Sequence, residues 1–347
     1  MTRRKTMSVV YKNAELYNVS EVHKTERGLE MFRIPKAVEE KCGPRVALMN
    51  SNACGVEIRF NMVSDKVDIT LCAPEGADSF FLVYYGAVGS GWQECIKGFN
   101  DVPKTVTVSK PEKLERLQKI SDSIGTDFDP ALVRLRFPNR KVFIKDIVGD
   151  ITPPRPDQVP KLRMLSYGSS ITHGSLGILP TNTYAGRCAE KLGVDLINLG
   201  IAGGACLEPA MADYIASRDD WDFATVEMGI NILGIEPCDF KSRVMNMVKT
   251  VASSHPDKKV FFIDVFYCEE DLAGGKRAEV FRSIVKECTA KYLEEGLSNI
   301  VYVNGLDMLP NAAGLSGDFT HPTVRGCETI SDNLIAKIKS EMPELFK

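Results

Sequence analysis

Lys161-Leu-Arg-Met-Leu-Ser-Tyr-Gly-Ser-Ser-Ile-Thr-His-Gly174 begins as a short apolar run and breaks at Gly168 into small hydroxyl residues. Residues 162–167 read as a buried strand, and residues 168–174 as a tight turn into a helix. The alternation recurs downstream. Strands are expected at 195–199, 223–228, 259–266 and 300–303, with helical stretches at 184–192, 208–217, 240–253, 276–295 and 325–342. Leu207, Met211 and Ile215 have the spacing of a helix face turned to a core. Repeated strand–helix–strand units imply an α/β fold, a mostly parallel sheet with helices on both faces. Reactive groups then gather on loops at the carboxyl ends of the strands.

Upstream the pattern is different. Period-two alternation recurs at 55–60, 67–72, 80–85, 105–108 and 132–137, and only 114–124 reads as a helix. Many short strands between turn signals predict a β-sandwich of jelly-roll-like kind. The glycines of Tyr85-Gly-Ala-Val-Gly-Ser-Gly-Trp92 read as a hairpin loop, because the strand–helix context of a dinucleotide site is missing. Asp150-Ile-Thr-Pro-Pro-Arg-Pro-Asp-Gln-Val-Pro160 holds four prolines and reads as an extended linker. The expected organisation is an accessory β-sandwich domain over 1–155 and an α/β catalytic domain over 156–347.

Composition narrows the function classes. Hydrophobic residues make up 44% and charged residues 26%, the balance of an ordinary globular protein. The formal net charge of −3 offers no basic field for nucleic acid or an anionic membrane. No run approaches a membrane span, and no apolar segment comes after the early Arg3, Arg4 and Lys5 as a secretory signal requires. None of the ten cysteines forms a C-x-x-C pair, which argues against a cysteine-rich metal site. Scattered thiols without a signal segment point to a reducing, cytoplasmic setting.

Four blocks carry chemistry. Ser170 stands on the first strand-to-helix turn, where backbone N–H groups can face an anion. Asp318 and His321, in Gly317-Asp-Phe-Thr-His-Pro322, are spaced so that the carboxylate can reach the imidazole and fix its tautomer. A capping aspartate beside a surface histidine would give the same spacing. Asn198-Leu-Gly-Ile-Ala-Gly-Gly204 and Glu227-Met-Gly-Ile-Asn231 come after the second and third strands, where small residues leave backbone N–H groups accessible and an asparagine offers an amide donor that could join the Ser170 N–H in an oxyanion hole. Each block alone is also what a tight turn requires. His173 is read as an exposed first-turn residue, His23 and His255 as lacking obvious partners, and Lys276 and Arg277 as a solvated face.

The order G-x-S-x-T, N-x-x-x-x-G, G-x-N and D-x-x-H-P, each block at a strand end, resembles the SGNH (GDSL) hydrolase superfamily across everything after the linker. Ser169 stands where the family has aspartate in G-D-S, and Ile232 where G-x-N-D ends in aspartate. The resemblance implies a flavodoxin-like sheet and a serine esterase. Ser170 would be the nucleophile, His321 the base and Asp318 its orienter. Ser170, Gly203 and Asn231 would form the oxyanion hole. It implies no metal or organic cofactor. The first half is similar in kind to the β-sandwich of two-domain family two carbohydrate esterases. That implies a small-molecule or oligosaccharide ester as partner, above all a short, acetyl ester of a sugar or other polar alcohol, with a homo-oligomer left open. Acyl transfer, thioester or lysolipid cleavage, or a non-catalytic carbohydrate-binding scaffold are the alternatives.

Overall fold

The computed structural model describes residues 8–346; the Arg3-Arg4-Lys5 start of the chain lies outside them. The strand predicted at 162–167 is Arg163–Gly168, second from the edge of a five-stranded sheet. Counted along the chain the order is 2-1-3-4-5: Asp195–Gly200, Arg163–Gly168, Phe223–Glu227, Val260–Ile263 and Ile300–Val303. Every neighbouring pair is parallel. Parallel strands are covered on both faces, which explains their continuous apolar runs.

Met164, Phe223, Phe261 and Val301 pack on one face, under helices Tyr184–Leu192 and Val324–Glu341. Leu165, Ala224, Val260 and Phe262 pack on the other, under Pro209–Ala216, Pro237–Ser254 and Arg277–Glu294. Phe240 and Phe281 stack there at 4.1 Å between the two long helices. Leu207, Met211 and Ile215 are fully buried, as their spacing predicts.

The first half forms two antiparallel sheets. One, of eight strands, is built around Glu57–Met62, Leu132–Arg136 and Ser79–Tyr85; the other, of five, contains Lys66–Cys72, Lys104–Ser109 and Phe143–Val148. Ile58, Phe60, Val133 and Leu135 of one meet Val67, Ile69, Leu71 and Ile144 of the other in a single core. Period two is the cause: these residues share one face of their strands, while Thr70 and Thr105 pair on the outer face. Leu114–Ile124 is the helix foreseen, and the Gly86 segment turns a hairpin between Ser79–Tyr85 and Val88–Gly89.

Two strands break the polar-out rule. Glu57, Arg59, Arg134 and Arg136 point away from the sandwich core yet are buried. They face the parallel sheet. Arg134 donates to Glu57 at 2.8 and 2.7 Å, and Arg59 donates to Glu57 at 2.8 Å. Arg59 also makes a bidentate pair with Asp195, at 2.6 and 2.7 Å, across the boundary between the halves. Burial works against the Glu57 carboxylate, but Arg134, Arg59 and Arg136 outweigh it and hold the group well below the usual carboxylate range.

The proline-rich segment, read as an extended linker, is anchored to the first half at two points. Ile151–Thr152 adds to Glu57–Met62 as an antiparallel strand. Fully buried Gln158 exchanges hydrogen bonds with Asn61 at 2.9 and 2.7 Å. Pro153, Pro154 and Pro156 fall between these anchors, where no ladder donor is needed. No helix among the described residues is long and apolar enough to cross a membrane.

Candidate active site

The turn after Arg163–Gly168 is held from behind. Ser169 caps the one-turn helix Ser170–His173 by accepting the Ile171 N–H at 3.1 Å. Its hydroxyl donates to Glu227 at 2.8 Å, which commits Ser169 to holding the turn. The same Glu227 oxygen accepts the Ser169 N–H at 2.7 Å and the Thr172 hydroxyl at 3.0 Å. Thr172 in turn pairs with the Tyr184 hydroxyl at 2.7 Å. Burial pushes the Glu227 carboxyl up, and the hydrogen bonds from residues 169 and 172 offset part of that. Only glycine fits at 168, where a Cβ would lie 2.3 Å from the Thr172 hydroxyl oxygen and 2.5 Å from the Glu227 oxygen.

Sequence reasoning missed Glu227. The signal was an acid closing the apolar run of a central strand, Phe223-Ala-Thr-Val-Glu227. Its carboxyl reaches the turn where the family motif has an acid and this chain has Ser169.

Ser170 Oγ lies 2.7 Å from His321 Nε2, although 151 residues separate them. His321 Nδ1 lies 2.8 Å from Asp318 Oδ2. The other Asp318 oxygen accepts the backbone N–H groups of Thr320 and His321, each at 2.9 Å, and the Ser316 hydroxyl at 2.7 Å. Burial is the largest single influence and disfavours its charge, but these donors and the His321 ring together outweigh it and hold the carboxyl well below the usual range. The loop closes through Ser316 N–H to the His321 carbonyl at 2.9 Å, with Phe319 in the left-handed region at φ 55°. An imidazole anchored this way can take a proton from the serine hydroxyl.

Gly203, at φ +70°, and Asn231 share a cleft of about 650 Å³ with Ser170 and His321. Among the described residues, the Ser170 and Gly203 N–H groups donate to no backbone acceptor. The Asn231 side-chain oxygen accepts the Ala205 N–H at 3.1 Å, which leaves its amide nitrogen to serve as donor. Asn198 acts instead as a brace: it donates to the Thr172 carbonyl at 2.9 Å and accepts the Gly200 N–H at 2.8 Å. Ile232 is buried in a 3₁₀ turn behind Asn231. The cleft also contains Arg45, Glu269 and Glu270, none of which the motifs indicated.

The first half buttresses these loops. Fully buried Arg33 donates to the carbonyls of Asn198 at 3.0 Å and Gly200 at 2.9 Å. Cys54 Sγ donates to the His173 carbonyl at 2.8 Å, and Asn139 to that of Gly174 at 2.9 Å. His173 is therefore not the exposed residue expected. It is 2% exposed under this cover, and burial, with Arg33 nearby, pushes its pKa down to about 3. His23 pairs with Glu21 at 2.8 Å, while His255 meets the Ala216 carbonyl at 2.9 Å and the Trp221 ring. Arg277 is no solvated residue either, since its guanidinium donates to the carbonyls of Leu233 and Ile235. All ten cysteines are free thiols, and no group of three potential metal ligands occurs among the described residues.

The fold has known counterparts. A salicylyl-acyltransferase, SsfX3, from a tetracycline biosynthetic pathway superposes with a TM-score of 0.79 at 16% identity, covering 99% of this chain and 100% of that one. A family two carbohydrate esterase from Cellvibrio japonicus gives 0.66 at 11% identity, over 99% of each chain. Another, from Clostridium thermocellum in complex with cellohexaose, gives 0.62 at 15% identity, over 84% of this chain and 93% of that one. No curated protein sequence matches. A family model for GDSL-like lipases and acylhydrolases matches residues 161–339, just over half of the chain and all four motif blocks. The chain belongs to the GDSL-like lipase/acylhydrolase family of hydrolases.

Proposed function

We propose that the protein is a serine esterase in which Ser170 is the nucleophile, His321 the general base and Asp318 its orienter. The observation that carries this is the continuous chain of contacts from Ser170 Oγ to His321 at 2.7 Å and from His321 to Asp318 at 2.8 Å. Ser170 Oγ attacks the ester carbonyl as His321 accepts its proton. The tetrahedral oxyanion is stabilised by the N–H groups of Ser170 and Gly203 and by the Asn231 amide. His321 returns the proton to the departing alcohol, and water then cleaves the acyl-enzyme with His321 again as base.

The substrate we infer is a small ester, with an acetyl or similarly short acyl group on a carbohydrate or other polar alcohol. Two features support it: the polar side chains Arg45, Asn231, Glu269 and Glu270 around the cleft, and the fold shared with family two carbohydrate esterases. Ser170→Ala is expected to abolish hydrolysis of p-nitrophenyl acetate while leaving thermal unfolding unchanged. Substantial turnover by that variant would remove Ser170 from the mechanism.

A second reading is acyl transfer on the same serine, favoured by the end-to-end likeness to an acyltransferase. Product analysis with added sugar or alcohol acceptors separates the two. Ester product rising with acceptor at constant p-nitrophenol release marks a transferase.

A further inference from the structure

The cleft that holds Ser170 receives one side chain, Arg45, from the first half of the chain. Arg45, on the helix Pro44–Asn50, lines it beside Ala202, Gly203 and Asn231. The side chain is exposed, and its Nε donates to the Ala202 carbonyl at 3.0 Å, which orients the guanidinium along the turn. Its terminal nitrogens have no carboxylate or other hydrogen-bond partner among the described residues. The side chain lies directly on the oxyanion turn: a Cβ at Gly203 would sit 2.9 Å from Arg45 Nε, and one at Gly204 would meet Arg45 Cβ and Cγ at 3.3 Å. The small pair Gly203-Gly204 thus makes room for an arginine as well as for a bend in the chain.

The cleft is polarised along the row of strand ends. Gly203 stands at the edge of the sheet, after Asp195–Gly200, with Arg45 laid against it. Glu269 and Glu270 come after Val260–Ile263, beyond Asn231 on the other flank of Ser170. A cation with its donors unspent beside one oxyanion donor, and two carboxylates at the far end, form an oriented field. A guanidinium fork whose Nε is already engaged presents its terminal N–H groups outward and matches a carboxylate or phosphate better than a neutral hydroxyl.

We propose that Arg45 recognises an anionic group, a carboxylate or phosphate, carried by the ester substrate next to its scissile bond. The hydroxyl-rich remainder of the substrate donates to Glu269 and Glu270. This rests on the esterase reading and narrows it to anionic esters. Arg45 is thereby a specificity residue, contributed to the cleft by the half of the chain that lacks Ser170 and His321.

The test compares kcat/KM for p-nitrophenyl acetate and phenyl acetate with that for mono-p-nitrophenyl succinate, whose carboxylate lies on the acyl side, and for 4-acetoxybenzoate, whose carboxylate lies on the alcohol side. Wild type, Arg45→Gln and Arg45→Lys are assayed together, with Ser170→Ala as the control. Arg45→Gln is expected to lower the anionic-to-neutral ratio at least about tenfold for one of the two anionic esters, the size of a charge-assisted hydrogen bond. Arg45→Lys should recover part of it. The responding ester identifies the side on which the anion sits, and competitive inhibition by succinate or by inorganic phosphate identifies the preferred anion. A ratio unchanged by Arg45→Gln for both anionic esters overturns the proposal while the esterase reading stands. Absence of any turnover that depends on Ser170 overturns both.

Discussion

At residue 231 the division of labour within one side chain is visible. The Asn231 oxygen is spent on the Ala205 N–H, and this aims the amide nitrogen rather than leaving it to rotate. Replacing Asn231 by Ala removes a donor that is already in place, and loss of one oxyanion donor typically costs about 10²–10³ in kcat. We expect a loss of that size with little change in KM, measured on p-nitrophenyl acetate; a loss confined to KM would make Asn231 a ground-state contact. His173 supplies a second residue-scale expectation. With its pKa pushed down to about 3, it remains neutral wherever the enzyme works. The acid limb of kcat/KM should therefore rise with unit slope, with no second proton contributed by His173. A slope of two would show His173 titrating as well. Stability has its own sign here: an unfolded histidine takes up a proton near pH 6.5, but the folded one does not until about 3, so His173 disfavours the folded state progressively as pH falls through that window.

The element that matters most is the turn from Gly168 to Gly174. A one-turn helix has no stability of its own, because nucleation costs more than a single hydrogen bond returns. Glu227, at the end of a neighbouring strand, takes three hydrogen bonds from that turn on one oxygen and so holds Ser170 within reach of His321. Glu227→Leu keeps roughly the size but leaves no oxygen to accept from the turn. We expect kcat to fall at least about tenfold with KM nearly unchanged, and the unfolding free energy to drop by about 1–3 kcal/mol for donors left unpaired in the interior. Wild-type kinetics in this variant would mean that the turn holds its shape without the carboxyl.

For the molecule as a whole, the bidentate Arg59–Asp195 pair joins the sandwich to the parallel sheet where both side chains are buried. Removing Asp195 takes the bidentate partner from Arg59 and leaves it only Glu57, which Arg134 shares; full loss of a buried partner costs about 3–5 kcal/mol, and the remaining pair makes the lower end the expected size. Asp195→Ala should lower the denaturant midpoint accordingly, while Arg59→Met with Asp195→Leu should recover much of the loss. If the single substitution is neutral, the halves do not depend on this pair. Glu57 sets the acid response. Its folded pKa is depressed, so the stability it contributes is present above the ordinary carboxylate range and is lost as pH falls below it.

Local pattern was enough for the elements. The strands at 132–136 and 300–303 and the helices at 114–124 and 184–192 arise from spacing and turn chemistry, both of which act within a few residues. The four motif blocks were legible for the same reason, since each is a strand end with its own turn. Tertiary structure decided which of these ends meet. Only the packed sheet brings Ser170 to His321, sets Glu227 behind the turn and lays Arg45 across Gly203. The burial of Arg59, Arg134 and His173 could not be read from alternation, which assigns a face but not what covers it. A face is set by the period of a single strand. The partner on that face is set by how two halves of one chain dock, and that depends on contacts between residues more than a hundred positions apart.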